Sequence, residues 1–343
     1  MTGMKKRSSN FELLRIISAL LILIFHCCGK VDDGFASNYS PKLVLDFILG
    51  LWGLAGVSCF MCVSCYFLVD ENCREIRWKS ISKVITKTII YALMGDFLAK
   101  CFNVEVDSIV DIIKSIFSPI SGDYYWFVTM YIMILLLMPF LNHFIFNITY
   151  QNHIAIILLL SIILFYEGGV KWLGENIICD TFLGIYYYLI ISFYKKYKSL
   201  KIKRVFMLLG GLSAVITLGL AIINSYYEYS YNVQIINIGH IFYRYTINQV
   251  WVGVALFMIF SEIKIGYSRI INMLAKGSFA VYLISEHPFA RRRLWNDYFL
   301  LSRSNDGYSI KMLKAVITVY IVATIIELSI DTTLKIIRRI VHD

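Results

Sequence analysis

Apolar windows of about twenty residues, each closed by a short polar or charged stretch, recur from one end of the chain to the other. They cover 11–29, 44–69, 81–101, 126–147, 153–167, 177–194, 205–225, 245–262, 270–287 and 311–336. A helix needs roughly 20 mostly apolar residues to cross the hydrocarbon core, so this spacing predicts about ten transmembrane helices. The window at 153–167 is the short one. Four prolines in the whole chain leave long helices unbroken. No internal repeat, low-complexity tract or long linker interrupts the series. Residues 1–343 therefore read as a single all-α integral membrane domain, a bundle of about ten helices.

Composition points the same way. The chain is 58% hydrophobic and 16% charged, against about 45–50% and about 25% in ordinary soluble domains, and its mean hydropathy is +0.67. Aromatic residues make up 15% of it, which suits interfacial belts and pockets inside a bundle. A net charge of +10 would invite nucleic acid, but the basic residues sit at the ends of apolar windows, a pattern set by membrane topology, and no nucleic-acid partner is expected. Lys5, Lys6 and Arg7 precede the first window, Arg74, Arg77, Lys79 and Lys83 follow the second, Lys195–Arg204 follow the sixth, and Lys335, Arg338 and Arg339 close the chain. The alternate connections carry Asp32 and Asp33, then Glu105, Asp107 and Asp111, then Glu167 and Glu175. Lys and Arg favour the cytoplasmic side, so both termini are expected there. The N-terminus has the charge of a signal peptide without a small-residue cleavage pattern, and the first window reads as an uncleaved span.

One connection departs from this. Residues 288–310 fall on the outside by count yet carry Arg291, Arg292, Arg293 and Arg303. Either the count is off by one, or the loop meets an anionic partner, whether lipid headgroups or an acidic or lipid-linked saccharide. Cysteine adds little. Eight are present, and Cys59, Cys62 and Cys65, though evenly spaced, read as small apolar filler in a helix rather than as metal ligands.

Ionisable residues inside spans are costly and are candidates for function. The first window holds Glu12, Arg15 and His26. Eleven positions separate Arg15 from His26, about three turns, so both share one helix face roughly 16 Å apart. A fixed cation thus precedes a titratable imidazole on one stripe. Asp96 is a candidate partner for Arg15, His26 or a nearby hydroxyl. Glu286 and His287 stand at a window end, where solvation explains them as well as function does. Glu327 and Asp331 are spaced to complement Lys335 on their own helix. Tyr125 and Trp126 fit an interfacial belt, and His143 and His153 flank a short loop as solvated side chains.

Several of these residues together resemble the bacterial acyltransferase-3 family. Glu12, Arg15 and His26 have the spacing of its first span. Phe60-Met-Cys-Val-Ser64-Cys65-Tyr66-Phe-Leu68 is similar to the end of its second span, with Cys65 in place of a glycine. Tyr125-Trp126-Phe127-Val128, with Pro139 beyond, resembles the opening of its fourth. Ser278-Phe-Ala-Val-Tyr282-Leu283-Ile284-Ser285 resembles a pattern near its ninth, with Ser285 where a histidine is common and His287 two residues later.

The resemblance implies a multi-pass enzyme of the bacterial cytoplasmic membrane, moving an acetyl group from cytoplasmic acetyl-CoA to a hydroxyl of an extracytoplasmic glycan or lipid-linked saccharide. It implies catalytic roles for His26, Arg15 and Glu12, and donor binding by Arg15, Ser64 and Tyr66. Acceptor binding falls to Trp126, Glu286, His287, Arg291, Arg292 and Arg293, and no metal is involved. Imidazole suits such chemistry as base or acyl carrier, and guanidinium suits a phosphate of the donor. The rival class is a transporter or flippase of glycan units, which would need charged residues at mid-depth and Gly- or Pro-broken helices in several spans. A membrane sensor would need neither the Arg–His face nor a donor site.

Overall fold

The computed structural model describes residues 8–31, 50, 52–73, 75–101, 110, 113–114, 116–117, 125–165, 177–231, 233, 246–303 and 307–342. The charges at Lys5–Arg7, Asp32, Asp33, Arg74, Glu105, Asp107, Asp111, Glu167 and Glu175 lie outside the described residues, as do the side chains of Arg338 and Arg339. Every regular element among the described residues is helical. The helices are α1 (Ser9–Lys30), α2 (Gly53–Leu68), α3 (Trp78–Cys101), α4 (Trp126–Asn147), α5 (Tyr150–Phe165), α6 (Ile177–Tyr197), α7 (Leu200–Tyr231), α8 (Ile247–Glu262), α9 (Arg269–Leu274), α10 (Gly277–Ser285) and α11 (Tyr308–His342), with a π-helical turn at Leu294–Tyr298. Each apolar window holds one of them, except that the window at 270–287 is broken into α9 and α10. Five described helices, α1, α4, α6, α7 and α11, are long and apolar enough to cross a membrane, and α2, α5 and α8 are apolar but shorter.

Interhelical contacts fix the directions. Gly56 of α2 packs on Ser18 and Ile22 of α1, while Tyr66 meets Phe11 at 5.2 Å between ring centroids, so α2 runs against α1. Asn10 Nδ2 donates to Phe260 O at 2.9 Å, turning α8 against α1 as well. Ser58 bonds Tyr187 at 2.7 Å and Lys195 reaches Val69, so α6 runs with α2. The same bookkeeping sends α3, α5, α7 and the α9–α10 pair along α1, and α4 and α11 against it. Direction alternates along the described chain.

Without a hydrophobic drive between helices in lipid, close packing and interhelical hydrogen bonds hold such a bundle. Gly277 lies so close to α11 that an added Cβ would sit 2.7 Å from Thr324 Cα. This contact explains the glycine at the start of α10. Ser268 caps α9 by accepting from Ile271 N at 3.3 Å, the chain turns at Ala275–Lys276, and α10 restarts on glycine against α11. Position in the bundle differs by helix. The apolar windows of α1 and α6 are 61% and 67% buried, that of α7 only 28%, so α7 is peripheral and α1 central.

Helix C-termini leave carbonyls without partners, and here cations cover them. Lys195 Nζ donates to Tyr66 O (2.9 Å) and Val69 O (2.5 Å) at the end of α2. Lys196 Nζ donates to Ile145 O and Ile148 O, both at 2.8 Å, at the end of α4. Arg303 donates to Cys28 O (2.5 Å) and Val31 O (3.2 Å), and Asn296 Nδ2 to Lys30 O (3.0 Å), at the end of α1. Residues expected to be topological signals, or ligands of an anion, are therefore also structural. Asn142 of α4 is a further joint, donating to Leu68 O and Cys73 O at 3.3 Å and accepting from Tyr188 at 2.8 Å.

Candidate active site

The polar stripe of α1 divides into two levels. At the lower, Arg15 Nη1 holds Glu12 Oε1 at 3.0 Å, one turn apart on the helix. Glu12 is buried and Arg15 reaches a cavity of about 220 Å³. That cavity brings together Arg15, Lys83, Lys87 and Lys276 with Glu327 and Asp331, and Ser64, Phe127, Tyr131 and Ser278 are among the other residues of its wall. Lys87 pairs with Glu327 and, at 3.5 Å, with Asp331, while Tyr91 donates to Glu327 Oε2 at 3.0 Å. The expected pairing of Glu327 and Asp331 with Lys335 is thus corrected. These carboxylates turn to Lys87 of α3, which is half-buried, and Asp331 also to Lys276 at 4.0 Å, whereas Lys335 is exposed. With Glu12 counted against Arg15, four cations face three carboxylates, an excess of one positive charge at the cavity.

The upper level belongs to His26. Because α10 runs along α1, Ser278 lies at the cavity while Ser285, at its other end, lies beside the imidazole. His26 Nδ1 is 3.0 Å from Ser285 Oγ, and Nε2 is 3.4 Å from Glu286 Oε1. One tautomer satisfies both sides: with the proton on Nε2 facing the carboxylate, Nδ1 accepts from the serine hydroxyl. Ser285 Oγ has a competing acceptor in Tyr282 O, at 3.4 Å, and the shorter contact favours the imidazole. Aromatic rings join the two levels. Phe127 lines the cavity, its ring lies 5.7 Å from that of Tyr282, and Tyr282 lies 6.4 Å from His26.

His287 does not take the place of Ser285. Its Nε2 bonds Ala92 O at 3.1 Å and faces Asp96 Oδ1 at 3.4 Å, on α3 and away from the α1 stripe. Gly95 makes the room, since a Cβ there would sit 2.3 Å from Nε2. His287 is 2% exposed and the Glu286 side chain 13%, so solvation at a span end does not describe either. Asp96 thereby gains a partner the sequence did not suggest. Two further expectations are corrected by burial. Tyr125 is fully buried, its hydroxyl donating to Leu283 O at 3.2 Å, and is no belt residue. His153 is buried, bonding Leu189 O at 3.1 Å, while His143 is exposed.

Of the other expected site residues, Ser64 shares the cavity with Arg15, but Tyr66 does not. Tyr66 lines a second cavity of about 230 Å³ with Lys195, Lys198, Lys203 and Glu262. Trp126 is half-buried at the start of α4, edge-on to Phe127. Arg291, Arg292 and Arg293 are exposed, in the loop whose Arg303 covers the end of α1. Sequence reasoning gives Lys83 only a topological part and misses Lys87, Lys276 and Ser285 as site residues; α3 and the turn at Ala275–Lys276 bring the three lysines to one cavity. For Ser285 a signal existed: it occupies the position where the family pattern has its histidine. Among the described residues no group of three His, Cys, Asp or Glu side chains is placed to hold a metal ion. Cys59, Cys62 and Cys65 are buried free thiols.

A family model described as an acyltransferase domain matches residues 8–330. Comparison with curated proteins gives no match, and comparison with solved structures gives none. The match runs from the first residue of the described bundle through the cavity carboxylate Glu327, so both levels of the stripe lie inside it. By that extent of agreement the chain belongs to the acyltransferase-3 family and is a multi-pass membrane acyltransferase.

Proposed function

We propose that the protein moves an acetyl group from cytoplasmic acetyl-CoA to a hydroxyl of an extracytoplasmic saccharide, across a ten-span bundle in a bacterial cytoplasmic membrane with both termini inside. The observation that carries this reading is the cation-lined cavity beneath His26 on one helix. Guanidinium and ammonium groups recognise phosphate. The volume, about 220 Å³, is smaller than the roughly 300–1,000 Å³ of a pocket that encloses a whole ligand. It suits the diphosphate, with the nucleotide left at the cytoplasmic mouth. The donor's long uncharged arm then lies along Phe127 and Tyr282, and its thioester meets His26 roughly 16 Å from Arg15.

In this reading Glu12 orients Arg15, Arg15 and its neighbouring lysines hold negative charge, and His26 moves the proton of the reacting hydroxyl. The aromatic wall keeps water from the thioester. The acceptor arrives from the opposite face, where Arg291–Arg293 stand exposed and suit an acidic or phosphate-linked saccharide.

Donor affinity and single-turnover transfer, measured on purified variants, test the division of labour. His26→Ala should abolish transfer and leave donor binding intact. Arg15→Ala should weaken donor binding, and Arg15→Lys should restore part of it, since a point charge lacks the bidentate contact. Full transfer by His26→Ala, or unaltered donor affinity in Arg15→Ala, would overturn the assignment.

A further inference from the structure

Both nitrogens of His26 are engaged by residues of one short segment. Nδ1 lies 3.0 Å from Ser285 Oγ and Nε2 lies 3.4 Å from Glu286 Oε1. With the proton on Nε2, the free lone pair of Nδ1 already points at a hydroxyl of the protein itself. For His26 to attack a thioester, that lone pair would have to leave Ser285. To activate an acceptor hydroxyl directly, the acceptor would have to displace Ser285. The group already placed for activation is the serine. A nucleophile in hydrogen-bond contact with its base, and a carboxylate at ion-pair distance behind that base, are the arrangement that makes a serine reactive. Glu286 Oε1 is buried without a hydrogen-bond partner and lies at ion-pair distance, 3.4 Å, from the imidazole Nε2. Ser285 is itself fully buried, which would keep water from an ester formed on it.

We propose that Ser285 is the acyl carrier, with His26 its base and Glu286 the residue that positions His26. The proposal rests on the reading of acetyl-CoA as donor. In the first half, His26 Nδ1 takes the Ser285 proton as Oγ attacks the thioester carbonyl. The carbon–sulfur bond breaks, and the departing thiolate takes the proton from Nδ1 as free coenzyme A. In the second half, His26 takes the proton of the acceptor hydroxyl, whose oxygen attacks the seryl ester. The carbon–oxygen bond to Ser285 breaks and Oγ recovers the proton. Nothing is oxidised or reduced, and acetyl-CoA and the acceptor are the only co-reactants. The acetyl group thus waits on α10, at the level where a saccharide from the far side can meet it, after coenzyme A has left on the near side.

The test is label retention. Purified protein is incubated with radiolabelled acetyl-CoA without acceptor, then digested, and the labelled peptide is identified by mass spectrometry. The expected result is acetyl on the peptide carrying Ser285, chased off when acceptor is added. Ser285→Ala should hold no label and lose transfer by about a hundred-fold or more, while binding acetyl-CoA as the native protein does. Ser285→Cys should regain label as a thioester, cleaved by neutral hydroxylamine, which guards against a fold defect in the alanine variant. Glu286→Gln should slow labelling without changing donor affinity.

Label on the peptide of His26, or transfer by Ser285→Ala within tenfold of the native rate, overturns the serine step. So does native protein that transfers acetyl in one step and never retains it, an outcome that leaves the donor reading standing. Native protein that neither takes label nor releases coenzyme A overturns the donor reading, and the serine step with it.

Discussion

Replacing Gly95 by alanine sets two physical effects against each other. In a helix interior alanine is favoured over glycine by about 1 kcal/mol, so local propensity alone predicts a more stable protein. The structure predicts the reverse. The new methyl would lie 2.3 Å from His287 Nε2 and 2.4 Å from Cδ2, closer than real Cβ contacts come. His287 is buried with its ring 5.7 Å from Phe289, so the imidazole must give up Ala92 O and Asp96. Overpacking costs about 1–3 kcal/mol, and a broken buried hydrogen bond a further 1–3 or so. Set against the helix gain, the net loss is about 3 kcal/mol. Activity should suffer as well, because His287 directly follows Glu286, and misplacing a site by about 1 Å can cost roughly a hundred-fold.

Thermal unfolding in detergent and acyl transfer at saturating donor measure the two effects. The double variant Gly95→Ala/His287→Ala removes the clash and should recover stability relative to the sum of the single variants, a coupling of about 1 kcal/mol or more. A Gly95→Ala protein that melts higher than the native one and transfers normally would refute the packing argument. Strictly additive losses would show that the glycine serves something other than His287.

Lys87→Met should destabilise by about 3–5 kcal/mol because it strands buried Glu327, and Lys87→Met/Glu327→Leu should regain most of that in the same unfolding assay. Arg303→Gln should expose the end of α1, read as faster amide exchange over residues 28–31 with α2 and α6 unchanged. A cysteine placed at Lys198 should react with a membrane-impermeant reagent from the cytoplasmic side alone, and labelling from outside would invert the topology and move the donor site. Replacing Arg291, Arg292 and Arg293 with Gln should weaken use of an anionic acceptor and leave donor affinity as it was, and unchanged acceptor use would assign that loop to headgroups.

Local pattern carried the helices and the stripe on α1. Period and window length set α4 to the residue at 126–147, and helical spacing put Glu12 beside Arg15. Pairings between helices were another matter. Lys87 and Glu327 stand 240 residues apart, and no periodicity within either helix marks the other as its partner. For the same reason the sequence offers Asp96 only Arg15, His26 or a nearby hydroxyl, and offers Glu327 Lys335, the nearest basic residue along the chain. His153 looked solvated because it borders a loop, but α6 covers it. The break between α9 and α10 is also hidden, since residues 270–287 are mostly apolar and carry no proline until Pro288. Nor does local pattern give Ser285 a partner; the fold sets its hydroxyl 3.0 Å from His26 Nδ1.

The partners of α1 have a consequence for how the chain is made. Asn10 waits for Phe260, Ser9 for Ser268 and Asn272, His26 for Ser285, and the end of the helix for Asn296 and Arg303. A segment made early is thus completed by partners made at least 250 residues after it. Arg303 follows Cys28 by 275 residues, which at about 5–20 residues per second is an interval of roughly 15–55 s. For that time α1 must be held in the bilayer by its own apolar surface and its contacts with α2. Any insertion chaperone that recognises exposed polar groups would find Arg15 and His26 on offer throughout. A ribosome stalled before residue 285 would leave in the membrane a bundle whose His26 lacks both Ser285 and Glu286.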